Sequence, residues 1–335
     1  MRILYAIQGT GNGHLSRARD IVPCLQQHGE VDILVSGIQA DVALPWPVRY
    51  QFYGLSFIFG QQGGVAFGQT LRKLRPWRFL RDLGRLPVED YDLIINDFEP
   101  LSAWACRLKG KKCFAMSHQA AFLSQATPRP PAWRDRFAEF LFRWYAPCTD
   151  YVGFHFAAYD RHITTPVIRR EVRALQPTRD GSILVYLPAY ADATLLAHFE
   201  QLPERRWVLF SKHAARAYRH QNVEVMPIQN EAFLKQLECC EAVLTGGGFE
   251  APAEALFLGK KLMVIPMKAQ YEQHANAYAA AAFGAVVAEQ IGPAFTDKLR
   301  AWLGSDTPPA VLFPDETQKV VDTAVSRWAM LKNTI

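Results

Sequence analysis

The sequence predicts an α/β protein built from two domains, each a mostly parallel sheet with helices on both faces. Three observations carry that expectation. Short β-rich runs alternate with segments of helical period along nearly the whole chain, which is the pattern of repeated βαβ units. The alternation is interrupted once, by a polar stretch with two prolines between Thr164 and Gly181, and then resumes. At 335 residues the chain is about twice the length of a domain of roughly 150 residues. A hydrophobic fraction of 50% against 21% charged residues is that of a globular chain and excludes a disordered one.

In order, residues 2–7 read as the first strand, 8–14 as a glycine loop, and a helix from Leu15 runs to about Gly29. Strands are expected at 31–35, 48–53, 92–96 and 112–116, with a helix over 100–108, and 151–155 closes the first half. The second half has strands at 183–187, 207–210, 223–226, 242–244 and 262–265. Helices are expected at 231–238, 249–258 and 271–283, and a last one at 317–331. The expected division is an N-terminal domain at 1–163, a linker at 164–181, and a C-terminal domain at 182–313. Residues 314–335 then return to pack on the first domain.

Several classes are disfavoured. The longest apolar run, 277–288, is twelve residues and short of the roughly 18 a membrane helix needs. The first strand follows directly on Met1 and Arg2, so no export signal is expected. Cys24, Cys106, Cys113, Cys148, Cys239 and Cys240 form no CxxC pair, and read as reduced thiols of a cytoplasmic protein. The net charge of +5 is concentrated in 72–85, where Arg72, Lys73, Arg75, Arg78, Arg81 and Arg85 face one acid, Asp82, amid leucines, Trp77 and Phe79. A second aromatic stretch, including Arg134, runs from Trp133 to Tyr145. This suits either peripheral contact with an anionic membrane surface or a helix packed on its sheet with a solvated basic face. No nucleic-acid motif accompanies it.

The chemistry is expected at two glycine loops. Gly9, Gly11 and Gly13 lie between strand and helix, where bare amides and a helix N-terminus can approach an anionic or polar ligand. A nicotinamide site would need GxGxxG and an acid ending the second strand; that strand ends Leu34, Val35, Ser36, Gly37. No GK[ST] follows, so a P-loop is also excluded. The second loop, Thr245, Gly246, Gly247, Gly248, Phe249 and Glu250, follows a buried strand and opens a helix carrying Glu254 one turn on. Its amides and helix end suit a diphosphate, and Glu254 could take the two hydroxyls of a ribose. Glu272 and Gln273, at the start of the next helix, suit vicinal hydroxyls.

Gly246, Gly247, Gly248, Glu254, Gly259, Pro266, Glu272, Gln273 and Asn276 together resemble the donor-nucleotide signature of GT-B glycosyltransferases. The likeness is strongest to the family-28-like branch that includes the peptidoglycan UDP-N-acetylglucosamine transferase, whose first glycine loop also ends in His, as Gly11, Asn12, Gly13 and His14 do here. It covers 1–30 and about 205–290. The resemblance implies two Rossmann-like domains facing across a cleft, and a nucleotide-sugar co-substrate, UDP-linked by preference. It places the diphosphate on Gly246–Gly248, the ribose on Glu254, the sugar hydroxyls on Glu272 and Gln273, and the base near Ile228. Close relatives carry Gln-Gln or Asp-Gln where this chain has Glu272-Gln273, so the sugar's identity does not carry over.

Such a transfer needs an oxyanion stabilised at the leaving diphosphate, which amide dipoles can supply without a metal or other cofactor. Asp90, Tyr91 and Asp92 spell a DxD, but the string precedes its strand and is not expected to bind metal. The acceptor hydroxyl needs a base. His14 leads, with Asp97, Glu99 and His118 as competitors. Many retaining relatives have an acidic pair with seven intervening residues, which is absent at Glu250 and Glu254, so inversion is expected. The acceptor is expected to be a glycan or a lipid-linked molecule of the cell envelope, reached at the inner face of the membrane. A nucleotide-sugar hydrolase or 2-epimerase, and a non-catalytic nucleotide-sugar binder, are the alternatives.

Overall fold

The computed structural model describes residues 1–37, 44–55, 75–131, 133 and 135–333. Leu71, Arg72, Lys73, Leu74 and Arg134 therefore lie outside the described residues.

The first strand, β1 (Arg2–Gln8), is an apolar run buried on both faces from Ile3 to Ile7, as a central parallel strand must be. It leads through the glycine loop into α1 (Asn12–Gln26), whose Leu15, Ala18, Ile21, Val22 and Leu25 face the core. β2 (Glu30–Ser36), β3 (Val48–Phe52), α2 (Pro76–Arg85), β4 (Leu93–Asp97), α3 (Pro100–Leu108) and β5 (Phe114–Ser117) follow. Then come α4 (Arg136–Trp144), β6 (Asp150–Phe154) and β7 (Ile163–Thr164). The sheet order is β3-β2-β1-β4-β5-β6-β7, all pairs parallel.

The second half repeats the plan. Its elements are β8 (Ser182–Tyr186), α6 (Asp192–Phe199), β9 (Arg206–Ser211), β10 (Tyr218–His220), β11 (Val223–Pro227), α7 (Asn230–Cys239) and β12 (Ala242–Gly246). α8 (Glu250–Phe257), β13 (Lys261–Ile265), α9 (Tyr271–Ala281), β14 (Val286–Val287) and α10 (Phe295–Gly304) complete it. A short helix, α5 (Arg170–Arg173), precedes this half. The order is β10-β11-β9-β8-β12-β13-β14.

Four details differ from the sequence reading. β7, not residues 151–155, is the outermost strand of the first sheet. β10 pairs antiparallel with β11 at the edge of an otherwise parallel sheet. α10 and the two-residue β14 lie outside the elements expected from the sequence. The stretch read as a featureless linker contains α5, with Val172 and Ile168 buried in the common core.

The last helix, α11 (Thr317–Asn333), follows the second sheet in sequence yet packs on α1, β5 and β6 of the first. Val321, Ala324 and Trp328 are buried there, and the Trp328 indole donates to the Asp92 carbonyl at 2.8 Å. Trp328→Ala should therefore remove about 3 kcal/mol of stability by leaving a cavity and an unpaired carbonyl. Urea denaturation would show it; a loss below about 1 kcal/mol would mean that α11 adds little to the first domain.

Candidate functional site

In an open parallel sheet, the crevice forms beyond the carboxyl ends of the strands, where chain order reverses direction. Here those points lie between β1 and β4 and between β8 and β12. β1 delivers the loop containing Gly9, Gly11 and Gly13, and β4 ends at Asp97, which pairs in register with Ile7. β12 ends at Gly246 and delivers the second glycine loop. The two loops abut. A Cβ on Gly13 would meet a Glu250 carboxylate oxygen at 2.5 Å, so a larger residue there would push the Glu250 side chain aside. Gly11 has φ +88°, a second position that favours glycine.

Five charged or titratable groups meet there. The His14 Nδ1 lies 2.8 Å from Asp97 Oδ1. The Arg17 guanidinium donates to both Asp97 oxygens at 2.7 and 2.9 Å, and through its other nitrogen to Glu250 Oε1 at 2.5 Å. Tyr5 adds a hydroxyl to Asp97 at 3.3 Å. Burial alone would raise the Asp97 carboxyl; Arg17, with His14, more than offsets it and holds the group below the usual carboxylate range. Asp97 is thus the partner of His14, not its competitor.

The other two candidate bases are committed elsewhere. Glu99 caps α3: its oxygens accept from the amides of Leu101 and Ser102 and from the Ser36 hydroxyl. It is fully buried, which pushes its carboxyl up. His118 sets one ring nitrogen 2.8 Å from the Phe154 carbonyl and the other 2.8 Å from Asn276 Oδ1, and a neutral ring donates to one of these two acceptors. Its ring stacks on Phe249 at 3.9 Å, and burial lowers it to about 4. Both readings as base are corrected: one group is a helix cap and the other an interdomain brace. Asp90 and Asp92 lie before β4, at the end of the sheet away from the crevice, and Asp92 accepts from the Arg2 amide.

On the donor side the loop is partly occupied by the protein itself. Gln273 Oε1 accepts from the amides of Gly247 and Met267 at 3.2 and 2.9 Å. That oxygen is bracing the loop and is not free for a sugar hydroxyl. Asn276 Nδ2 donates to the Gly247 carbonyl, and the Thr245 hydroxyl to the Tyr186 carbonyl. Phe249, the N-cap residue of α8, makes no side-chain cap, and apart from its chain neighbours nothing among the described residues lies within 4 Å of a Cβ built on Gly248. Glu254 is buried and held by the Arg169 guanidinium, Nε at 2.5 and Nη2 at 2.8 Å. Arg169 precedes α5 and also donates to Asn230, so the interdomain segment forms one wall of the site. Ile228 is half-buried at the end of β11. Glu272 accepts from Gln119 of the first domain at 3.0 Å; burial, opposed by His14, raises its carboxyl to about 7. Arg17 and Arg169 were missed in the sequence. Arg17 had a signal, since it stands three residues after His14 on one helical face; Arg169 had none.

Beside the crevice, α2 buries Leu83 but exposes Trp77 (83%) and Leu80 (55%), and α4 exposes Phe137 and Phe140. A groove of about 300 Å³ lined by Leu55, Trp104, Phe140, Leu141, Trp144 and Tyr145 opens there. No helix among the described residues is long and apolar enough to cross a membrane. The six cysteines are free thiols.

Two facing parallel-sheet domains with glycine loops at both switch points form the GT-B arrangement, and the protein is a glycosyltransferase. The chain belongs to the family described as glycosyl transferase family 1, whose model matches residues 1–298. Solved structures of the same fold include Acinetobacter baumannii MurG, with 17% identity, TM-score 0.56, and coverage of 97% of this chain and 99% of that one. Arabidopsis thaliana UGT89C1 complexed with UDP has 15% identity, TM-score 0.57 and coverage of 97% and 94%. The Streptomyces sp. SF2575 glycosyltransferase SsfS6 complexed with thymidine diphosphate has 12% identity, TM-score 0.55 and coverage of 98% and 96%. No curated protein matches the sequence.

A carboxyl raised to about 7 lets the folded state hold its proton more tightly than the unfolded chain, so this group's contribution to stability is lost as pH climbs from about 4.5 through 7. Glu272→Gln should therefore raise the melting temperature more at pH 8 than at pH 4.5. Equal shifts at the two pH values would place the Glu272 carboxyl in its ordinary range.

Proposed function

We propose that the enzyme moves a sugar from a nucleoside-diphosphate donor, UDP-linked by preference, to an acceptor hydroxyl in one inverting displacement that uses no metal. The observation that carries this reading is the His14–Asp97 pair. Asp97 fixes one ring nitrogen of His14, and the other, Nε2, has no partner among the described residues. That leaves it able to take a proton at a crevice facing the donor helix.

In the proposed step the acceptor oxygen attacks the anomeric carbon, and its proton passes to His14 Nε2. The bond between that carbon and the diphosphate oxygen breaks, and its electron pair leaves with the diphosphate. The uncapped amides at the start of α8 receive the new charge. Glu254 takes the ribose hydroxyls, using the lone pairs that Arg169 leaves open. Glu272 and Asn276 border the sugar, with Ile228 beside the base. Support for the nucleotide comes from the relatives whose structures hold UDP and thymidine diphosphate.

The exposed Trp77, Leu80, Phe137 and Phe140 beside Arg75, Arg78, Arg81 and Arg136 support a peripheral contact with anionic membrane and an acceptor that is lipid-linked. The envelope glycan and the cytoplasmic face of the membrane follow from that reading.

Calorimetry with UDP should show Glu254→Ala binding about tenfold more weakly, as for one lost charged hydrogen bond. Unchanged affinity removes Glu254 from the ribose. In a panel of nucleotide sugars and acceptors, His14→Ala should transfer at least about a hundredfold more slowly with donor affinity retained. Release of free sugar or an epimer without acceptor would replace transfer by hydrolysis or epimerisation, and tight binding without turnover would make the protein a binder. Wild type should sediment with anionic vesicles and the Arg75/Arg78/Arg81→Glu variant should not; a wild type that never sediments ends the membrane reading.

A further inference from the structure

We infer that Arg17 is a positioning residue that holds the His14–Asp97 pair and joins its charge to the donor domain through Glu250. The inference rests on the reading of His14 as the base.

Arg17 is 2% exposed and fills the space between the two domains. One of its nitrogens, Nη2, spans both Asp97 oxygens and lies 3.1 Å from His14 Nδ1. The opposite nitrogen reaches Glu250 at the first turn of α8. The flat guanidinium also lies over the Phe154 ring, 5.3 Å from its centroid, which fixes its plane. Lysine, a point charge without the fork, could reproduce the charge but not both contacts at once.

The arrangement has a consequence for the proton at His14. An isolated buried Asp97 would favour the imidazolium and so oppose a neutral base. Arg17 balances that charge while leaving the hydrogen bond that orients the ring. Glu250 draws the same guanidinium the other way. Because α8 is where the leaving diphosphate is proposed to sit, one cation senses the charge at the donor site and the protonation of the base. The groups facing His14 are Asp97 from β4, Arg17 from α1 and Glu272 from α9, and Glu250 from α8 stands beside Gly13 on the far side of Arg17. Tyr5 lies behind Asp97, and His118 lies beyond, neutral by burial.

The test is an NMR titration of the imidazole resonances of the full chain without substrate. The His14 signal is assigned by its loss in His14→Ala. All titrations are repeated in a Glu272→Gln background, because that carboxyl changes charge in the same pH range. Removing a neighbouring cation favours the imidazolium, so Arg17→Met should raise the His14 midpoint by about one pH unit or more. Glu250→Gln should lower it, and Arg17→Lys should leave it nearer wild type. If Arg17→Met does not fold, Glu250→Gln carries the test, since its side chain is 28% exposed. A midpoint unmoved in Glu250→Gln, or moved in the same direction in both variants, overturns the inference. Full transfer activity in His14→Ala would instead remove the base reading and leave the titration result standing, so the two failures are distinct.

Discussion

Strand parallelism is the constraint on which the rest depends. A parallel sheet needs a crossover after every strand, so every strand-to-helix loop falls on the same edge. Two such sheets with those edges opposed must bring their glycine loops together. The near-continuous apolar strands, β1 above all, are the cause at the level of sequence, because only a strand covered on both faces can be so uniformly buried. The close approach of Gly13 to Glu250 is the result at the level of the site. The chemistry then needs few residues, since the fold already supplies amides and helix ends.

Much of this was legible in the sequence, and the reasons differ by level. Central strands and the helices between them declare themselves by period and by turn residues, so β1, β4, β12 and α8 fall within a residue or two of expectation. Short edge elements do not: β7 and β14 have two residues each, too few for any period. α5 was hidden by its arginines, although Val172 anchors it. At the site, positions were readable but employment was not. Glu99 and Asp97 stand two residues apart at the end of one strand; Glu99 caps a helix and Asp97 meets Arg17 and His14. Nothing local distinguishes them, because the deciding partners come from α1 and from the start of α3.

The protein's own groups occupy several of the places proposed for the donor. Arg169 grips Glu254, and Gln273 grips the Gly247 amide. Each such bond satisfies a buried polar group that would otherwise be costly to leave bare. A ligand arriving here exchanges contacts; it does not simply add them. Affinity then reflects the difference between two well-bonded states.

α11 gives the architecture a last property. The first domain is not complete until the chain has passed through the whole second domain and come back, with His28 bonded to Asp322 and Lys112 to Leu331. During synthesis on the ribosome the first sheet must therefore wait, with the surface that Val321, Ala324 and Trp328 will cover still open to water. A truncation anywhere in the second domain would therefore strip apolar cover from the first.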